Sequence, residues 1–203
     1  MDEENPSRLL IVEGYDDKHV VMHFLKRSKS SLNFPIKPVG GYSKLLQCIS
    51  AEIKAPGRKR LGFLLDADDQ LDDHWKGVRA RLKQAGVMPP DKLSQNGCIF
   101  GDELTVGVWI MPNNMSNGEL ENFVIEMVPE DDPIWPMSEQ YIDSIPKDKR
   151  KFAIAKTDKT ILNVWLSTRK EPGRMGAAIG AGDLDVSNRL SASFLHWLEN
   201  LFS

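Results

Sequence analysis

Two short acidic runs, each directly behind an apolar stretch, are the parts of this 203-residue chain best suited to chemistry. Glu13-Gly14-Tyr15-Asp16-Asp17 follows Leu9-Leu10-Ile11-Val12, and Asp66-Ala67-Asp68-Asp69 follows Leu61-Gly62-Phe63-Leu64-Leu65. An acid that closes a buried apolar strand needs a partner, because an unpaired buried charge is costly. Hard divalent cations require oxygen ligands, and magnesium usually combines one or two carboxylates with substrate phosphate. A D-x-D after a strand puts Asp66 and Asp68 on one side of the chain. Glu13, Asp17, Asp66 and Asp68 together therefore read as a site for Mg2+ or Mn2+. Each run alone also has an ordinary reading, Asp17 as a helix cap and Asp66 as a capping acid after a strand.

The elements around these runs must bring them together. Leu9–Val12, Pro35–Val39 and Leu61–Leu65 read as strands, the first and third as continuous apolar runs suited to burial on both faces. Between them lie amphipathic helical stretches, one carrying Val20, Val21, Phe24 and Leu25, the other Leu45, Leu46 and Ile49. Trp75, Val78 and Leu82 mark the next helix, stopped at Gly86. Strand–helix alternation implies a parallel sheet, and ligands then bind outside the carboxyl ends of its strands. Cys98–Phe100 and Val106–Met111 read as further strands, and Glu119–Val128 as a helix. The Pro-rich VPEDDPIWP breaks the chain, so we divide it into an α/β core (1–128) and a mainly helical extension packed on that core (129–203). Within the extension, 137–167 reads as mainly helical, RKEPGRMGAAIGAG as a Gly-rich loop, and about 187–202 as a closing helix.

The order LLIVEGYDD, a glycine after the second strand (Gly40 or Gly41), then LGFLLDADD, resembles the TOPRIM domain over roughly residues 8–110. That domain is shared by topoisomerases, bacterial primases, small maturation ribonucleases and nucleases of the overcoming-lysogenization-defect (OLD) family. The resemblance implies a Rossmann-like sheet of about four parallel strands between helices. It casts Glu13 as a general acid/base and Asp66 and Asp68 as magnesium ligands in phosphodiester chemistry. A topoisomerase would need a nucleophilic tyrosine and a DNA gate, yet the chain has only Tyr15, Tyr42 and Tyr141 and no room for a gate. The zinc module typical of primases is hard to build from Cys48 and Cys98. The OLD-like nuclease branch fits better. It implies Asp17 as a second acid, Glu119 and Glu121 as a further metal-binding pair, and a lysine stabilising transition-state charge, Lys156 or Lys159, with Lys159 preferred. The ATPase portion of full-length OLD proteins is missing, which makes a separate ATPase a candidate partner.

Charge distribution suggests the substrate. The formal net charge is only −3, but residues 147–174 hold nine Lys or Arg against three acids, whereas 116–140 hold seven acids and neither base. A basic segment beside an acidic one suits a phosphate backbone held near bound metal, although solvated charged faces also look like this. We therefore expect a nuclease acting on DNA or RNA. Two other readings stay open: a non-catalytic or partner-dependent TOPRIM module, and a phosphotransfer enzyme on a small phosphate compound. The start of the chain is acidic without a signal-like apolar run, and no segment reaches the ~18 apolar residues of a membrane span. With two cysteines read as core thiols, the expected setting is cytoplasmic, with no membrane partner. Trp75, Trp165 and Trp197 read as core, and Trp109 and Trp135, which flank turns where a base could stack, read first as core or lobe contacts. His19, His23, His74 and His196 form no convincing metal spacing.

Overall fold

The computed structural model describes residues 7–203; the acidic start of the chain at 1–6 lies outside them. Five strands form one sheet: β1 (Arg8–Val12), β2 (Ile36–Pro38), β3 (Arg60–Asp66), β4 (Cys98–Phe100) and β5 (Thr105–Met111). Their order is β2-β1-β3-β5-β4. The first four in that order pair in parallel, and β4 runs antiparallel along β5 at the edge. The expected parallel sheet thus carries an antiparallel edge strand as well.

Alternation along the strands divides the core into two layers. Leu10, Val12, Leu64, Trp109 and Met111 face one side, where they meet α1 (Tyr15–Arg27), α4 (Leu120–Ile125), α6 (Thr157–Ser167), α7 (Met175–Ala181) and α8 (Arg189–Phe202). Leu9, Ile11, Phe63, Leu65, Val108 and Ile110 face the other, against α2 (Tyr42–Ile53) and α3 (Leu71–Gln84). This is why Leu9–Val12 of β1 and Leu61–Leu65 of β3 are continuously apolar: both faces are covered. Residues 129–203 supply α5 (Ile134–Ser144), two 3-10 turns and α6 to α8, and Leu162, Trp165, Phe194 and Leu201 from this span join the same layer as Leu10 and Val12.

Gly62 and Gly107 are partners across β3 and β5, and α8 lies directly on them. A Cβ at Gly62 would come within 3.0 Å of Leu201, and one at Gly107 would clash with the same leucine. The pair acts as a flat floor for Leu201.

Two sequence expectations need correction. RKEPGRMGAAIGAG is not wholly a loop, since its glycine-rich half forms α7. Gly has low helix propensity, but α7 packs so closely on α1 that a Cβ at Gly176 would stand 2.9 Å from the His19 carbonyl, and tertiary contact overrides propensity. Cys98 is buried, but Cys48 is only half-buried on α2. The packing reading of Trp109 and Trp135 holds, since Trp109 is fully buried and Trp135 packs edge-on to Trp165 at 6.5 Å.

Candidate acidic site at the strand ends

Strand order locates the crevice. From β1 the chain moves outward to β2, then returns past β1 to β3. The helices after β1 and β3 cover opposite faces of the sheet, α1 on one and α3 on the other. Between the carboxyl ends of β1 and β3 the covering helices therefore diverge, which is the switch point where open α/β sheets bind ligands. Glu13 leaves β1 and Asp66 ends β3 at that point.

Backbone amides fix the acids in place. Glu13 accepts a hydrogen bond from the Asp66 amide at 3.0 Å. Gly40 and Gly41 donate their amides to the Glu13 carbonyl at 2.7 and 3.0 Å, holding the turn after β2 beside it. Asp17 Oδ2 accepts from Gly14 N at 2.8 Å, so the capping role expected for this residue is real. Its other oxygen, Oδ1, is buried with no hydrogen-bond partner.

The downstream acids arrive through a short zipper. Asp68, at a left-handed φ of 48° that Asp tolerates better than most residues, exchanges backbone hydrogen bonds with Gly118 at 2.8 and 2.7 Å. Asn117 reinforces the register, accepting from Leu71 N and donating to the Asp69 carbonyl, both at 3.1 Å. Asp66 Oδ1 then accepts from Leu120 N at 2.9 Å, docking the start of α4 on the end of β3. Glu119 and Glu121 are thereby held next to the strand-end acids. Glu121 lies buried, ion-paired with Lys159 at 2.7 Å. Lys159 also reaches Glu119 at 3.5 Å, while Lys156 bonds Glu119 and approaches Asp68 to 3.7 Å.

These surroundings shift the titrations. Burial, then the negative charges of Asp17, Glu13, Glu121 and Asp68, push the Asp66 carboxyl up to about 9. Burial raises Glu13 to about 7 with help from Asp17 and Asp68, against the lowering effect of the Asp66 amide. Asp17 rises to about 6, chiefly through burial, offset by the Gly14 amide and reinforced by Glu121 and Asp16. Lys156 is raised by its bond to Glu119. Burial alone would lower Lys159, but its bonds and charge contacts with Glu121 and Glu119 outweigh this and raise it. Among the described residues, no three His, Cys, Asp or Glu side chains stand in a formed metal-ligand arrangement.

All of the residues singled out in the sequence, Glu13, Asp17, Asp66, Asp68, Glu119, Glu121, Lys156 and Lys159, fall into this one network. The basic segment 147–174 does not present one face. Arg150 is tied to the Ile145 and Asp143 carbonyls, and Arg169 lies over the Trp165 ring at 4.0 Å and pairs with Asp132 at 3.6 Å. Missed in the sequence were Tyr42 and His74, stacked at 3.9 Å, with His74 Nδ1 2.8 Å from the Asp66 carbonyl. Asn122 was missed too; it accepts from Glu119 N and donates to Asp158 of α6 at 3.0 Å. The Tyr42–His74 stack and the Asn122–Asp158 bond join elements more than 30 residues apart, which no spacing marks, whereas His74–Asp66 and the Glu119–Asn122 capping pair are local.

The fold and site define an α/β protein with a five-stranded, mostly parallel sheet and an acidic switch-point crevice backed by two lysines. The chain belongs to the DUF3226 family, described as proteins of unknown function, whose profile matches residues 7–203. Neither the comparison with curated proteins nor that with solved structures yields a match. No helix among the described residues is long and apolar enough to cross a membrane.

Proposed function

We propose that this protein is a metal-dependent phosphodiester hydrolase acting on DNA or RNA, of the TOPRIM type that its LLIVEG and LLDADD runs resemble. The observation that carries the reading is the gathering of Glu13, Asp17 and Asp66 at the switch point with raised proton affinities, one buried Asp17 oxygen being left without a partner. Such a cluster is stabilised by protons or by a cation, and an all-oxygen donor set suits Mg2+ or Mn2+. Glu13, Asp17, Asp66 and Asp68 would hold the metal, with Glu119 and Glu121 completing the set. When bound, it would supply charge neutralisation at the phosphate and favour ionisation of an attacking water. The resemblance casts Glu13 as the residue that would take or return the proton of the reaction. Lys159 would stabilise negative charge growing on the phosphate. Free Cys48 and Cys98 suit a reducing, cytoplasmic setting.

A second reading is a partner-dependent module, for which a separate ATPase is the candidate partner. It is favoured by the lysines that already neutralise Glu119 and Glu121.

The test is incubation of the full chain with labelled single- and double-stranded DNA and RNA in EDTA, magnesium or manganese. Cleavage should require metal and fall at least 100-fold in Glu13→Gln. Equal cleavage by that variant would reject the site. Metal binding without cleavage of any substrate would select the partner-dependent module.

A further inference from the structure

A groove between α1 and α7 lies outside the acidic network and has a different character. It encloses about 940 Å3. Tyr15, His19 and His23 recur at intervals of four along α1, so they form one stripe facing α7, opposite the buried Val20, Val21 and Phe24. Lys26, Arg27 and Lys29 continue that wall, and Lys170 and Arg174 approach from the segment before α7. Against these five basic side chains the lining includes two acids, Asp16 and Glu171. Glu171 offsets Arg174 weakly at 3.9 Å, both being exposed, and Asp185 lies close enough to Arg27 to feel its charge. Lys26, Lys29 and Lys170 have no ion pair among the described residues.

Two features say what such a groove takes. One end opens on the first turn of α1, the turn that presents Asp17 to the acidic site. At that end Tyr15 is 72% exposed, an unusual position for a large aromatic ring at the head of a cationic channel. From Tyr15 to Arg27 the helix rises about 18 Å at 1.5 Å per residue. At about 3.4 Å of rise per nucleotide, this matches a stacked strand of roughly five nucleotides. Cations tracking a backbone with an aromatic ring for a base is the pattern of single-strand recognition. Gly176 and Gly180 let α7 approach the histidine stripe closely, keeping the cleft narrow.

We propose that this groove binds single-stranded nucleic acid and leads it past Tyr15 into the acidic site. The proposal rests on the hydrolase reading for the destination of the strand, but the groove itself is testable without cleavage. Anisotropy of labelled, unstructured 12-mers of DNA and RNA would be measured with the full chain in EDTA. Binding should weaken with salt at a log–log slope of about −2 to −3.5, as three to five neutralised phosphates predict. Lys26→Glu with Lys170→Glu, exposed changes on opposite walls, should lower affinity at least tenfold. Tyr15→Ala should lower it about fivefold or more. Unchanged melting temperatures would show that the variants are folded. No binding at low salt, indifference to the double reversal, or equal affinity for a duplex would overturn the proposal. Groove-dependent binding without cleavage in any metal would leave the groove standing and remove the hydrolase. Cleavage unaffected by the double reversal would do the opposite.

Discussion

Glu13, Asp17 and Asp66 stand among one another's charges with no ion pair to any Lys, Arg or His among the described residues, whereas Glu119 and Glu121 each meet a lysine ammonium. The two groups share a crevice and differ in where their positive charge comes from. The helical half carries its own counter-charge on α6 and on the turn before it. The strand half has only backbone amides, which orient a carboxylate but do not neutralise it, and its acids hold protons instead. Such a half is responsive: protons, a cation or a mutation should all change its stability, while the lysine-paired half should respond little to any of them.

The largest expected effect is therefore of pH. An unfolded Asp titrates near 3.9, whereas folded Asp66 is pushed up to about 9. The folded state then binds the extra proton, so stability is fully present below the unfolded value and is lost as pH rises through the folded one. Between pH 5 and 8 one such proton changes stability by about 4 kcal/mol. Glu13 and Asp17, raised to about 7 and about 6, steepen the lower part of that decline. Urea melts in EDTA at pH 5, 6.5 and 8 should show this fall, and millimolar manganese should flatten it. A profile level in EDTA would mean that the strand half is neutralised after all.

Asp66→Asn sharpens the same contrast. Asn keeps an oxygen to accept the Leu120 amide, so the docking of α4 survives, and it is neutral without having to bind a proton. At pH 8 in EDTA the variant should be more stable than the parent by roughly 2 kcal/mol or more, because folding the parent must take up a proton at Asp66 that the unfolded chain has released, whereas the amide needs none. The parent should gain about 2.7 kcal/mol from metal at a hundredfold excess over Kd, and the variant much less. Asp66→Ala separates charge from capping, because it loses the acceptor too and should forfeit about 1 kcal/mol of that gain. If Asp66→Asn were destabilised in EDTA, Asp66 would be structural and the acidic site would lose its centre.

How much of this was legible beforehand follows the same division. The strand half was readable because a continuous apolar run ending in an acid is a local pattern, and Leu9–Val12 with Glu13 and Leu61–Leu65 with Asp66 both state it outright. The parallel sheet followed from alternation, while β4 gave no hint of its antiparallel direction because three residues carry no directional signal. The helical half came only through resemblance: Glu119, Glu121 and Lys159 are brought to Asp66 by the Asp68–Gly118 zipper and by Asn117, contacts between loops about 50 residues apart. The groove was illegible as a groove. Lys170 and Arg174 were visible within 147–174, but Lys26, Arg27 and Lys29 carried no pattern of their own, and the close approach of α7 depends on Gly176 and Gly180, which read as loop residues until packing made them helix.

The smallest effects compare the two lysines. Lys159 bonds buried Glu121, so Lys159→Ala strands a buried carboxylate. With the Lys159 side chain 44% exposed, solvent reduces the loss to about 1 kcal/mol. Glu121→Gln in the same background should restore most of it, since the stranded charge is then gone. Lys156 is as exposed, at 45%, but the nearby Asp68 is itself 48% exposed, and Lys156→Ala should change stability by less than about 0.5 kcal/mol. Its effect should fall on metal affinity instead. Lys156 lies 3.7 Å from Asp68 and bonds Glu119, two of the carboxylates a cation would use. A fixed ammonium there is a competitor, and an ion-pair energy of about 1 kcal/mol in water translates into an affinity several-fold tighter once it is removed. Titration calorimetry with manganese on the parent, Lys156→Ala and Lys159→Ala would read this directly. Tighter binding in Lys156→Ala with nearly parental stability would mark Lys156 as the competing counter-ion of the site. Weaker binding would instead place Lys156 among the groups that organise the carboxylates, and the division between a self-neutralised half and an open half would have to be redrawn.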